Sequence, residues 1–444
     1  HPHKYLRSIA MNLPPFGLIR QIQNQPELTN IAQSVRQAWE SSALAGKLKP
    51  GQTVAIGIGS RGIVAIDLMA KETIAFFQSK GCKPFIVSAM GSHGGANSKG
   101  QRELLGEYGI SEENLGVPVK TDMTSTIIGK TTFDEPVHWD ANALAADVVV
   151  TLSRIKPHTD FRGKYESGIV KMLVIGLGKR EGASQHHQWG YLGLRDRMPQ
   201  TVRVILEKTN FQAGMAILEN AREKTARVEV VEKANLLDRE PVLLDEARQL
   251  MGRLPFNQLD LLVIGEIGKN YSGAGIDPNV VGRLLVETMV EDPTPAITRI
   301  CALDLSPESH GNGTGVGIAD LTTQRLIDSI DPVPFRMNNL TACFLWRSKL
   351  PLAFTNDRDC LQAGLDTCWQ PIFNNLRMAI IPNSLELEWI WASPTLLAEA
   401  QGRQDLQVEK PAEQISLNTD GNLNLSALFP NSVSGRRAGG KAHH

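Results

Sequence analysis

Short runs of branched apolar residues alternate along most of the chain with stretches whose apolar positions recur at helical spacing. That pattern predicts α/β architecture with largely parallel sheets. Thr53-Val-Ala-Ile-Gly-Ile reads as a strand, residues 62–79 as a helix and Lys83-Pro-Phe-Ile-Val-Ser as the next strand. Asp147-Val-Val-Val-Thr-Leu and residues 259–264 continue the series, and Arg299-Ile-Cys-Ala-Leu-Asp-Leu and Met378-Ala-Ile-Ile-Pro are expected in a later sheet. Helices are expected over 206–224, 320–330 and 357–368, and no repeat of solenoid period is present. At Arg253-Leu-Pro-Phe a helical stretch meets a proline just before a fresh strand. This places a boundary between an N-terminal α/β domain, 1–255, and a second α/β domain, 256–402. From about Gln401 the chain turns polar and Asn-rich, so 403–444 is expected to be a surface extension with a tag-like end, Ser434-Gly-Arg-Arg-Ala-Gly-Gly-Lys-Ala-His-His.

A length of 444 residues fits two or three domains at about 150 residues each. Lys+Arg 46 against Asp+Glu 47 leaves a net charge of −1, which argues against a nucleic-acid partner, because phosphate neutralisation takes a basic domain or face. The five cysteines, at 82, 301, 343, 360 and 368, are odd in number and scattered, with no Cys-x-x-Cys pair. They fit reduced thiols in the cytoplasm better than a disulfide framework or a thiolate zinc site. The longest apolar run, Ile169 to Leu177, is interrupted by Lys171 and falls short of the roughly 20 residues a membrane helix needs. The start shows no signal-peptide pattern, so a cytoplasmic protein with no membrane partner is expected. Ten histidines reduce to six once His1, His3, His443 and His444 at the ends are set aside: His93, His138, His158, His186, His187 and His310.

Gly57-Ile-Gly-Ser-Arg-Gly62 has the G-x-G-x-x-G spacing between a strand and a helix, where glycines let backbone N–H groups approach a phosphate. A dinucleotide site also wants a carboxylate about 20 residues on, and the second strand ends Ile86-Val-Ser-Ala-Met-Gly without one. An anion or carboxylate site on Ser60 and Arg61, or a structural tight turn, remain as readings. Gly91-Ser-His93-Gly-Gly puts a histidine at a strand's carboxyl end, where open α/β sheets bind ligands; a surface loop is the alternative. His158 follows a strand and a proline in the same way. Lys171 is a candidate nucleophile or covalent anchor if buried, or a side chain that carries its charge out to water. Of the neighbours His186 and His187, at most one faces a given site, because adjacent side chains on a helix diverge by about 100°. There is no His-Glu-x-x-His and no supporting Cys pair, so a metal or catalytic site must be assembled from separate loops. Two imidazoles on opposite faces of a substrate can serve as paired acid and base, as racemisation requires, and a third can ligate a borderline transition metal.

Gly91-Ser-His93-Gly-Gly, Lys156-Pro-His158, Gly168-Ile-Val-Lys171-Met and His187-Gln-Trp-Gly, in this order, resemble the lactate racemase superfamily, the nickel-pincer nucleotide-dependent isomerases. Glu266-Ile-Gly-Lys269-Asn-Tyr-Ser-Gly-Ala-Gly-Ile-Asp277-Pro-Asn-Val-Val-Gly-Arg283 and the stretch from Leu305 to Asp320 resemble later blocks of a branch distinct from lactate racemase itself. The resemblance spans roughly residues 15 to 395 and implies two α/β domains with an active-site cleft between them. It implies a pyridinium-3,5-bisthiocarboxylic acid mononucleotide nickel complex joined covalently to Lys171, with His187 completing the nickel's coordination. His93 and His158 match the general acid and base acting on the 2-hydroxyl. The resemblance further implies that hydride passes from C2 to the cofactor, leaving a planar 2-keto acid, and returns to the other face. The implied partners are a small 2-hydroxy acid and the enzymes that make the cofactor.

Where lactate racemase carries Asp-x-Thr-Arg-Pro, this chain has Ile58-Gly-Ser60-Arg61-Gly62: the arginine that can take a carboxylate is kept and the aspartate is not. The span from His158 to Lys171 is also a few residues longer than in lactate racemase. Both departures favour a different 2-hydroxy acid or a polyol acid. Lys269 and Arg283 are extra cations for a second anionic group or for salt bridges. His138 reads as structural, His310 either faces the cleft or lies in a surface turn, and Trp189 and Trp391 read as core or wall. The expected activity is that of a racemase or epimerase, an isomerase. The alternatives are an NAD(P)-dependent 2-hydroxy acid dehydrogenase using the first Gly-rich turn, or a non-catalytic carrier of a nucleotide or metal.

Overall fold

In chain order the strands are β1 (Phe16–Gln21), β2 (Thr53–Ile58), β3 (Lys83–Ser88), β4 (Val119–Lys120), β5 (Ser125–Lys130), β6 (Pro136–Asp140), β7 (Val148–Arg154), β8 (Phe211–Glu219) and β9 (Thr225–Glu232). Beyond them come β10 (Gln258–Ile264), β11 (Ala296–Ala302), β12 (Leu321–Thr323), β13 (Leu352–Phe354), β14 (Met378–Ile381), β15 (Trp389–Ala392) and β16 (Leu406–Glu413). This computed structural model describes residues 13–22, 25–60, 62–291 and 293–438. Arg61, the terminal histidines and the tag-like end from 439 lie outside the described residues.

The chain divides into two α/β units, one formed by residues 25–251 and the other by the segment before 25 together with that from 252 on. The 25–251 unit holds a six-stranded sheet in the order β4-β3-β2-β7-β8-β9, parallel apart from β9, and a small β5–β6 hairpin. The apolar runs of β2, β3 and β7 are buried almost end to end, as parallel strands covered on both faces must be. On one face Val54, Ile56, Ile58 and Ile86 pack against Trp39, Phe76 and Phe77 of the helices Ile31–Glu40 and Ile66–Ser79. On the other, Ala55, Phe85, Val87 and Val149 pack with Ile169, Leu173, Val174 and Leu177. The second helix begins at Ile66 rather than at 62, because the loop before it is irregular, with Ala65 at φ 56° and the Val64 amide donating to Glu219 Oε1.

The helix expected over 206–224 is not there. A helix ends at Lys208, and residues 211–232 form the β8–β9 hairpin. The Ala, Leu, Glu and Lys content suits a helix, but β8 adds to the free edge of β7, with Val150 opposite Ala213, and sheet context overrides propensity. Similarly, the stretch 320–330 opens as β12 before the short helix Gln324–Asp328.

The second unit carries an eight-stranded mixed sheet in the order β13-β12-β11-β10-β14-β15-β1-β16. The first strand of the chain therefore belongs here, antiparallel to both β15 and β16. The expected surface extension from 403 supplies β16 and a helix, Val433–Ala438. Its strand is exposed at nearly every position after Leu406, so backbone pairing with β1, not apolar alternation, makes it a strand. Among the described residues, no helix is long and apolar enough to cross a membrane.

Candidate functional site

In the 25–251 unit the chain winds from β2 out to β3 and β4, then returns to place β7 on the other side of β2. Open α/β sheets bind ligands at the carboxyl ends of strands around such a reversal. Ser60, His93 and His158 follow β2, β3 and β7 at these ends.

Ser60 Oγ and His93 Nδ1 are hydrogen-bonded, and Tyr108 Oη donates to the Ser60 carbonyl at 3.0 Å. His93 is extended, and Gly94 and Gly95 follow it at φ 64° and 67°, a left-handed pair that turns the chain at low cost only with glycine. His158 is 6% exposed. Its amide donates to Glu166 Oε2 at 2.6 Å, and its Nδ1 accepts from the Asp160 amide at 3.0 Å. The neutral ring then carries its proton on Nε2, the atom hydrogen-bonded to Lys171 Nζ. Glu166 is itself buried, accepting from Gly163 N at 3.2 Å and from Arg248 at 2.7 Å.

Lys171 ends a short helix, Ile169–Lys171, that runs on as a π-helical turn, Met172–Gly176. Glu240 accepts from the Val170 amide at 3.0 Å at the start of this helix, and burial pushes its carboxyl up to about 8. The π turn also meets the other loops: the Gly91 amide donates to the Gly176 carbonyl at 3.0 Å, and Met172 lies against Gly59. One ridge thus touches the Ser60 and His93 loops and carries Lys171.

The helix Lys179–His187 follows. His187 Nδ1 donates to the Ala183 carbonyl at 2.7 Å, and among the described residues no hydrogen bond engages Nε2. Burial first, and the neighbouring Lys171 charge second, hold the imidazole below its usual range, so Nε2 keeps a lone pair. His186 has both nitrogens engaged, with the Gly182 carbonyl at 2.8 Å and Thr201 Oγ1 at 3.0 Å, and is core.

The structure thus brings Ser60 to His93, and His158 to Lys171, with His187 in electrostatic reach of Lys171. Lys269 and Arg283 belong to the second unit. The Arg283 guanidinium is taken up by Asp320 at 2.9 Å and by the Ile297, Thr298 and Ile318 carbonyls, the salt-bridge role of the two expected for it. Lys269 Nζ donates to the Gly273 carbonyl. His138 is half-buried beside Ser125, and His310 sits in an exposed turn. Trp189 stacks on the Arg197 guanidinium, and Trp391 is buried with its indole N–H on the Leu428 carbonyl. Glu166, Glu240 and Asp160 have no sequence signal of their own. Only the proximity of Asp160 and Glu166 to His158 in the chain points toward them.

A family model, the lactate racemase N-terminal domain, matches residues 16–196. Among solved structures, the lactate racemase apoprotein from Thermoanaerobacterium thermosaccharolyticum is similar, with a TM-score of 0.50 and 12% identity, covering 83% of this chain and 94% of that one. At that identity the likeness is one of fold. No curated protein matches the chain. Residues 16–196 are thus similar to the lactate racemase N-terminal domain, and the chain shares the fold of the racemase apoprotein.

Proposed function

We propose that the chain is a racemase or epimerase that inverts C2 of a 2-hydroxy acid, with a nickel-pincer nucleotide as cofactor. The observation that carries this reading is the hydrogen bond between Lys171 and His158 near a His187 whose Nδ1 is held by the Ala183 carbonyl, with no hydrogen bond to Nε2 among the described residues. Among the described residues no three His, Cys, Asp or Glu side chains cluster to hold a metal ion. One imidazole and one amine on consecutive helical elements suit a group that brings its own sulfur and carbon donors. Lys171 would hold it covalently and His187 would ligate its nickel.

When bound, that cofactor supplies a hydride acceptor for the hydrogen on C2. The chain's part is proton transfer and positioning. Ser60 fixes the His93 ring through Nδ1, which makes Nε2 its reacting atom, while the Asp160 amide does the same for His158. One imidazole takes the 2-hydroxyl proton of one enantiomer and the other serves its mirror image, which is why two are needed where a dehydrogenase needs one. With Lys171 Nζ holding the cofactor, His158 Nε2 would be free for the substrate hydroxyl. Ser60 and Arg61 take the substrate carboxylate in this reading. The loss of the aspartate before them favours a 2-hydroxy acid other than lactate, in a branch of its own.

Protein co-produced with cofactor-making enzymes and offered a panel of enantiopure 2-hydroxy acids is expected to produce the opposite enantiomer, read by chiral chromatography. A C2-deuterated substrate should keep its label in ordinary water, since hydride returns to the carbon it left. Wash-out of the label would contradict hydride transfer. His93→Ala and His158→Ala should each lose about 10²- to 10⁴-fold in kcat while keeping the cofactor. Full activity in both variants would overturn the assignment of His93 and His158 as acid and base.

A further inference from the structure

Behind the His93 loop lies a chain of buried polar side chains that the reaction above does not use. Lys179 Nζ pairs with Asp140 Oδ2 at 2.6 Å and donates to the Ser88 carbonyl at 2.8 Å and to Ser88 Oγ at 3.2 Å. Ser88 Oγ donates to Gln101 Oε1 at 2.6 Å, and Gln101 Nε2 donates to the Gly91 and His93 carbonyls, each at 3.1 Å. Asp140 Oδ1 accepts from the Ala143 amide at 2.8 Å. All four side chains are at most 1% exposed.

The direction of donation along this chain is forced. An ammonium has three protons and no acceptor, so Ser88 Oγ must accept from Lys179 and can only donate onward. That fixes the Gln101 carboxamide with its oxygen toward Ser88 and its NH2 toward the two carbonyls that flank Ser92. Each ammonium and carboxamide proton then has a partner, the condition under which a buried network specifies one geometry.

The ends of this chain point to what it specifies. Ser88 is the last residue of β3, whose loop carries His93; Asp140 ends β6; and Lys179 is the first residue of the helix that ends at His187. Lys179 also stands at φ 56°, the left-handed region, where a glycine would sit without strain and a lysine is retained only if its side chain is held.

We propose that Lys179, Asp140, Ser88 and Gln101 form a positioning relay that sets the His93 loop against the helix bearing His187. It rests on the assignment of those two histidines to proton transfer and nickel, and none of the four touches substrate or cofactor.

The test compares Ser88→Ala and Gln101→Met, which keep volume, with Thr73→Ala, which removes an equally buried bond to Trp39 Nε1 outside the relay. The first readout is the imidazole Cε1–H NMR signals of cofactor-free protein, with His93 and His187 assigned from His93→Gln and His187→Gln. In both relay variants the His93 signal should shift and broaden, whereas Thr73→Ala should lower Tm and leave it in place. Lys179→Met should move the His93 and His187 signals together. If it does not fold, the two volume-conserving variants decide. On loaded enzyme, the relay variants should lose about 10- to 100-fold in kcat with KM within about twofold, the mark of misplaced reacting groups. His93 signals superimposable on wild type in Ser88→Ala and Gln101→Met overturn the relay. A wild-type enzyme that inverts no 2-hydroxy acid overturns the acid-base reading instead, and the spectra still decide the relay.

Discussion

Glu240 keeps its carboxyl inside the 25–251 unit with the Val170 amide as its donor, and burial pushes it from an ordinary 4.5 up to about 8. Between those two values the folded chain holds a proton that the unfolded chain has lost. Folding therefore takes up a proton over that window, and by linkage this group's contribution to stability is fully present below about 4.5 and is lost as pH rises through about 8. Glu240→Gln imitates the protonated form. We expect urea unfolding at about pH 5.5 and about pH 8.5 to show a fall in stability of a few kcal/mol in wild type and a flatter profile in the variant. Equal pH slopes in the two proteins would show that Glu240 is ionised throughout. The same side chain caps the helix of Lys171, so its proton and the placement of the lysine are linked.

The element on which the site turns is the helix and π turn from Ile169 to Gly176. It lies close on β8 because residue 214 is glycine, where a Cβ would stand 2.8 Å from the Ile169 side chain. It approaches the His93 loop because residue 176 is glycine, where a Cβ would stand 2.6 Å from the Ala89 carbonyl oxygen. Backbone cannot yield there as a side chain tip can. Gly176→Ala is therefore expected to cost about 1–3 kcal/mol in thermal unfolding and to lower kcat by separating the Lys171 ridge from His93. A variant with wild-type Tm and kcat would mean that the two elements do not need this approach. β2, β3 and β7 were legible in the sequence because burial on both faces leaves continuous branched apolar runs, and the loops that follow them held Ser60, His93 and His158. The hairpin 211–232 was not, since Ala-, Leu- and Glu-rich residues become strands only when β7 offers them an edge. β16 was not either, because an exposed strand needs no apolar pattern. Glu166, Lys179 and Glu240 read as ordinary surface charges until partners distant in sequence enclose them.

For the whole molecule, the proposed reading is of an enzyme of two α/β units and five free thiols whose metal would take its sulfur ligands from a bound group. The protein's offer to that group is narrow: the amine of Lys171 and the Nε2 of His187, on consecutive helical elements of one unit. The most direct measurement is the intact and peptide mass, with nickel content, of the full chain co-produced with cofactor-making enzymes, beside Lys171→Ala and His187→Ala. The account predicts a nucleotide-sized adduct on Lys171 with about one nickel per chain, no adduct in Lys171→Ala, and an adduct with little nickel in His187→Ala. Unmodified Lys171 and no nickel in the wild-type protein would contradict it.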